Sequence, residues 1–169
     1  MEPLDAISKK DLRELLTKCW MTHDAMWLYH CYQEVGMEKT NKINRAAVRS
    51  MSAIEAKRIA KQLGMKAESF DDVKRLILEG LGLLKADFMD FTFEFPEQNL
   101  LRWDIRGCFA YDGIKGLGLI DQYECGIKER AYGWFDGLGI DFEVQPNTLE
   151  CTMHTTGKCI TDMKLKLDH

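Results

Sequence analysis

No stretch of this sequence reaches the roughly 18 consecutive apolar residues that mark a membrane-spanning helix, so none is expected. The amino terminus, Met1-Glu2-Pro3-Leu4-Asp5, is acidic and lacks the apolar centre of a secretory signal. A cytoplasmic location with no membrane partner is the resulting expectation. Nor is there an excess of positive charge: 23 Lys and Arg stand against 27 Asp and Glu, a net charge of −4. General nucleic-acid binding rests on neutralising phosphates, so an acidic chain argues against it. No Gly-x-Ser-x-Gly elbow or His-Glu-x-x-His pair is present, which removes ordinary serine-hydrolase and zincin chemistry. No internal repeat or low-complexity segment stands out. Gly113, Gly116 and Gly118 lack the Lys-Ser/Thr of a phosphate loop, and residues 107–119 read as a flexible connection.

What is present is an ordinary globular composition, 46% hydrophobic and 30% charged. Its 169 residues suffice for one domain with a real core. Charge is unevenly spread. Residues 1–85 carry 15 Lys and Arg against 12 Asp and Glu, or +3, whereas residues 86–169 carry 8 against 15, or −7. Six cysteines in a reducing compartment suggest metal or redox chemistry before disulfides.

The period of the apolar residues divides the chain. Up to residue 85 it is helical. Ser8 and Asp11 resemble a capping box, followed by a stripe of Leu12, Leu16, Cys19, His23, Met26 and His30 that predicts one buried face. Gly36 is the predicted stop. A second helix is predicted from Thr40 to Leu63, with Ile43, Ala47, Met51 and Ile54 inward and Gly64 closing it. A third follows Ser69, with Phe70, Val73, Ile77, Leu81 and Leu84 inward. From residue 89 the period is two. Pairing Glu94 with Arg102 also pairs Asp90 with Arg106, Phe93 with Trp103 and Phe91 with Ile105, which predicts a hairpin register. Asp121 and Glu124 read as the capping box of a fourth helix with the stripe Tyr123, Ile127, Ala131, Trp134 and Leu138. Strands are then predicted around Phe142, Cys151 and Leu165. The fold class expected is α+β: a helical portion, 1–85, packed on an antiparallel sheet portion, 86–169.

The residues that carry chemistry are Cys125, Cys151 and Cys159. Cys151 and Cys159 bracket Thr-Met-His-Thr-Thr-Gly-Lys, and Cys125 lies at the start of the fourth helix, where free N–H groups favour thiolate. Zinc takes four tetrahedral ligands from thiolate and imidazole, and the three cysteines can supply three. His154 or Glu150 is the candidate fourth, although both have the opposite strand parity to Cys151. The alternative is three small hydrophobes in a core, because reduced cysteine is among the most buried residues. Cys31 and Cys108 show no partner pattern and read as packing residues.

The stretch from about Asp121 to Asp162 resembles the C-terminal part of the 4-vinyl reductase domain family, which includes the ligand-binding domains of bacterial phenol sensors. Its motif, a cysteine at a helix start and then a cysteine pair separated by seven residues, matches Cys125, Cys151 and Cys159. The resemblance implies zinc held beside a pocket for a small aromatic, with a glutamate as fourth ligand shortly before the middle cysteine. This chain has Thr148 about there and Glu150 nearby. The chain also resembles the aminothiazoline-carboxylate hydrolases, which implies ring opening of a small cyclic amide or amidine.

Three function classes are therefore open. The leading one is a zinc-containing domain binding a small apolar or aromatic molecule, walled by Trp20, His23, Trp27, Tyr29, Phe91, Phe93, Trp103 and Trp134. The second is a metal-dependent hydrolase with His154, His23 or Glu124 in acid–base roles. The third is a dimeric partner-binding protein without ligand. A homodimer through the helical half is expected in each. Lys42, Arg45 and Arg49 can hold a carboxylate, or form a solvated basic face.

Overall fold

The computed structural model describes residues 6–167. Two helical arms come first, within α1 (Lys9–Leu63), which is broken at Gly36, a residue at φ +75. Only glycine enters that region without a Cβ penalty. Trp20, Asp24 and Leu28 of the first arm line the same cavities as Asn44, Val48 and Met51 of the second, so the arms fold back on each other. Ser8 caps α1 by accepting the Asp11 N–H, and Gly64 closes it in the left-handed conformation. Helix α2 (Phe70–Leu84) follows, with both halves of a Ser69/Asp72 capping box formed.

Strands β1 (Asp90–Glu97) and β2 (Leu100–Gly107) form the hairpin. Glu94 faces Arg102, Phe93 faces Trp103 and Phe91 faces Ile105, as charge and apolar matching predict. A bulge beside Phe91 sets Asp90 opposite Gly107 instead of Arg106. The Arg106 guanidinium still reaches Asp90 at 2.7 Å. Next come α3 (Phe109–Gly116), a 3-10 turn at Ile120–Gln122, α4 (Gly126–Leu138), β3 (Asp141–Gln145), α5 (Thr152–Thr156) and β4 (Cys159–Lys166). The sheet is antiparallel with the order β1-β2-β4-β3. The architecture is α+β. Phe70, Val73 and Ile77 of α2 and Phe135 of α4 pack on Leu101, Trp103, Ile105 and Met163 of the sheet as one core.

Four expectations need correction. The first arm does not bury its Leu12–His30 stripe: Leu16, Cys19, His23, Met26 and His30 are exposed, and Leu28 is the one buried residue among 9–35. Trp20, Met21 and Leu28 lie on the inner side instead. In the second arm Ile43, Ala47 and Ile54 are exposed, while Thr40, Asn41, Ser52 and Ala56 are buried. The reason is the partner. α4 presents Gly133 and Gly137, on which an added Cβ would collide with Arg49, Ser52 and Ala53, so small residues must face it. Residues 109–116 are a helix rather than a flexible connection, capped at Cys108, whose sulfur accepts the Tyr111 N–H at 3.5 Å. Residues 149–153 form no strand. A single Glu124–Glu150 bridge is followed directly by α5, which removes the parity argument about Glu150 and His154.

Candidate functional site

Cys125 is placed by two interactions. Asn41 on α1 donates to the Gln122 carbonyl at 2.7 Å and accepts the Glu124 N–H at 3.1 Å, holding the segment that enters α4. The Cys125 N–H then donates to the Leu149 carbonyl at 2.7 Å, which lays residues 149–151 alongside 123–125. Cys125 is the residue before α4, not part of a first turn begun at Asp121. Cys151 precedes α5, and its carbonyl accepts from the His154 and Thr155 N–H groups. Cys159 opens β4 opposite Ile105. Cys108 stands three residues beyond Ile105, at the β2–α3 junction. All six cysteines are free, and Cys125, Cys151 and Cys159 are buried.

Cys125 and Cys151 lie in one apolar cluster with Ile114, Leu119 and Tyr123, and Cys159 lies in the sheet core against which Cys108 packs. Ile127 and Met153 touch both clusters, so the four thiols flank one seam. Among the described residues no three His, Cys, Asp or Glu side chains stand placed to share an ion as they are.

Burial dominates the electrostatics along the seam, and the Lys128 charge opposes it at Cys125 and Cys159. Burial pushes Cys125 up to about 11, opposed by the Lys128 N–H and the Lys128 charge. It pushes Cys108 up to about 12 and raises Cys159 as well. Lys128 is only 3% exposed. Its ammonium donates to the Thr148 and Glu150 carbonyls, each at 3.2 Å. No carboxylate pairs with it among the described residues. Thr152 Oγ1 points toward Cys159 but is buried without a partner in hydrogen-bond geometry.

The other sequence candidates lie elsewhere. His154 is exposed, with Nε2 at 2.8 Å from Asp121 Oδ1. Glu150 is exposed, and it is its backbone carbonyl that meets Lys128. Glu124 is taken by Arg45 at 2.7 Å. His23 is exposed beside Asp24 and walls none of the cavities described below. Arg45 also binds Glu129 at 2.8 Å, and Arg49 binds Asp136 and Glu129. These two guanidiniums therefore do hold carboxylates, but those of this chain, while Lys42 is exposed.

Two apolar cavities adjoin the seam. The smaller, about 90 Å³, lies between α2, α4 and the sheet and is walled by Phe91, Phe93, Trp103, Trp134 and Cys108. The larger, about 290 Å³, lies under the first arm and is walled by Trp20, Met21, Met51 and Tyr123. Phe109, Ile127 and Arg130 belong to both walls. Arg130 is fixed by Glu55 at 2.7 Å and covers the Trp20 ring at 4.6 Å. Glu55 also accepts the Trp134 indole N–H at 2.9 Å. Trp27, 63% exposed, borders only a separate cleft of about 130 Å³ between the arms.

The sequence reading missed Cys108, Lys128 and Arg130. Lys128 did carry a signal: it is a cation in the first turn of α4, where the helix dipole favours anions. Cys108 carried none, because its neighbours are distant in sequence.

The family described as "Family of unknown function (DUF6125)" matches residues 5–153, and the chain belongs to it. No curated protein and no solved structure matches the chain. No helix among the described residues is long and apolar enough to cross a membrane.

Proposed function

We propose that this member of the DUF6125 family binds a small, largely apolar or aromatic molecule in the adjoining cavities, beside a zinc ion held by Cys125, Cys151 and Cys159. The observation that carries the reading is the pair of apolar cavities meeting at Ile127, with Cys108 of the thiol seam in one wall. Ligand sites are concave, mostly apolar and furnished with few polar groups. Size decides which cavity takes the bulk of the ligand. An apolar cavity of about 150 Å³ admits benzene. The 90 Å³ cavity is smaller than that and the 290 Å³ cavity larger, so the ring lies under the first arm, against Trp20 and Ile127. Asp24 and Arg130 are the charged side chains in that wall and orient it. The protein acts in the cytoplasm, where reduced thiols remain available to metal.

Titrating phenol into the protein while following tryptophan fluorescence tests this. Trp20 lies in the wall of the larger cavity and Trp103 and Trp134 in that of the smaller, so saturable quenching is expected. Filling the larger cavity by Gly113→Leu should abolish it. Quenching that never saturates, or that survives the variant, would contradict the proposal.

A homodimer through the first arm is the accompanying reading. Leu15, Leu16, Met26 and Trp27 are exposed along it. Light scattering should give twice the chain mass, and Trp27→Glu with Leu16→Glu should give monomer.

A further inference from the structure

We infer that the face of α4 turned away from the two apolar cavities builds a separate binding site for a small monocarboxylate, with the Lys128 ammonium as its counter-charge. The inference is independent of both the zinc and the phenol readings.

Position comes first. Ile127, Arg130, Ala131 and Trp134 wall the apolar cavities, at spacings of three and four along α4. Cys125, Lys128, Glu129 and Tyr132 repeat that spacing from two residues earlier, which sets them on the opposite face. They wall a cavity of about 300 Å³, together with Arg45 and Arg49 of α1 and the chain from Phe142 to Leu149. It shares no wall residue with the other two. Charge is the second argument. A buried ammonium calls for an anion, because desolvating it alone is costly. Lys128 is 3% exposed. An ammonium offers three donors, and two of them go to the Thr148 and Glu150 carbonyls at 3.2 Å. Glu129 in the same wall is held by Arg45 and Arg49, and these two also hold Glu124 and Asp136. Lys128 is thus the cation of this wall left without a carboxylate among the described residues.

The rest of the lining suits a carboxylate with a short apolar tail. Tyr132 stands one turn beyond Lys128, and its hydroxyl has no hydrogen-bond partner among the described residues. Burial and the Glu129 charge push it up to about 12, so it stays a donor at neutral pH. Asn147 adds a side-chain amide. A carboxylate has acceptor sites for all of these donors at once, and its bonds to charged donors are the strong ones. Glu129 limits the charge that fits. Its carboxylate lies in the same wall, so a second negative charge on the ligand meets repulsion, and a monoanion is favoured over a phosphate dianion. Phe142 and Val144 of β3 supply the apolar side, with the Tyr132 and Phe142 rings 5.3 Å apart. The volume is about twice the ~150 Å³ that admits benzene, ample for a short branched acid.

Amide NMR of the full chain, titrated with isobutyrate and with its neutral isostere isobutyramide, tests the assignment. Isobutyrate should give saturable shifts at Lys128, Tyr132 and Thr148, and leave Gly113, in the wall of the cavity under the first arm, unmoved. Isobutyramide should give none. Lys128→Met keeps the stem and removes the charge, so it should weaken isobutyrate at least about tenfold, the order of one hydrogen bond to a charged group. Phenol should bind that variant as it binds the wild type. Equal binding of the amide, tighter binding of inorganic phosphate, shifts centred on Gly113, or an unchanged affinity in Lys128→Met would each overturn the inference. So would the absence of saturable shifts. Loss of phenol binding alone would remove the earlier reading and leave this one standing. If Lys128→Met fails to fold, Tyr132→Phe decides. It keeps the ring on Phe142 and removes the hydroxyl, so a severalfold weaker isobutyrate complex is expected, and an unchanged one would overturn the inference.

Discussion

Gly133 of α4 lies directly against the Arg49 carbonyl of α1, so close that no Cβ fits between them. This contact fixes how the second arm meets α4 and, through Asn41, where Cys125 stands. Overpacking a tight contact costs about 1–3 kcal/mol. Gly133→Ala and Gly137→Ala should each lower the urea midpoint by that order. Gly82→Ala, on an open part of α2, should raise it slightly, because alanine is the better helix former by about 1 kcal/mol. Equal effects at Gly82 and Gly133 would mean that the helices do not approach as described.

Glu129 is buried between Arg45 and Arg49. Removing its charge leaves two guanidiniums facing each other without their shared anion. Breaking a buried pair from one side costs about 3–5 kcal/mol. Arg49 is partly exposed, so Glu129→Gln should fall toward the lower end, read as a loss of unfolding free energy in denaturant. A change within about 0.5 kcal/mol, the range of ordinary surface substitutions, would place Glu129 in solvent instead.

The alkaline behaviour should reverse with metal. Without metal the folded state keeps Cys125 and Cys108 protonated, with values of about 11 and about 12 against an ordinary 9.0. The folded state then binds more protons than the unfolded chain once the pH exceeds about 9. Stability is therefore full below pH 9 and is lost as pH rises through 11 to 12. With zinc bound, thiolate is the folded form, so stability falls as pH drops and protons compete for sulfur. Thermal melts across pH with and without a chelator check both limbs. Identical profiles would contradict metal binding at these thiols.

The acid limb has a second source. The Arg102 guanidinium grips Asp162 through two bonds of 2.7 Å and holds its carboxyl below the usual range. The stabilisation is present above about pH 4, the ordinary carboxylate value, and is lost as pH falls below it. Both side chains are partly exposed, so Asp162→Asn should cost only about 1 kcal/mol at neutral pH. The difference from wild type should vanish near pH 2 in acid titrations followed by circular dichroism.

Local signals were the readable ones. The Ser69/Asp72 box and the Phe70–Leu84 stripe define α2, and alternation with matched charges gives the hairpin register almost to the residue. The faces of α1 were not readable from hydrophobicity. Its second arm packs against a glycine face, which selects Ser52 and Ala56 for burial and leaves Ile43 and Ile54 outside. Helix α3 was hidden by its glycines and by a cysteine cap, a residue outside the usual capping set. Of the thiol seam, spacing pointed to Cys125, Cys151 and Cys159 but not to Cys108, which the β2–β4 pairing brings near from a distant part of the chain. Helical spacing suggests Trp27 and His23 as walls, but His23 is exposed and Trp27 borders the cleft between the arms, away from both apolar cavities.

The most direct measurement is a nuclear Overhauser experiment between phenol and the methyl groups of the zinc-loaded protein. The account predicts transfer to Ile127 and Met51 at saturating phenol, since both wall the cavity under the first arm. It predicts none to Ile54, which lies exposed on the far side of the second arm. Transfer confined to Ile54 and other outer methyls, or no transfer at all, would contradict it.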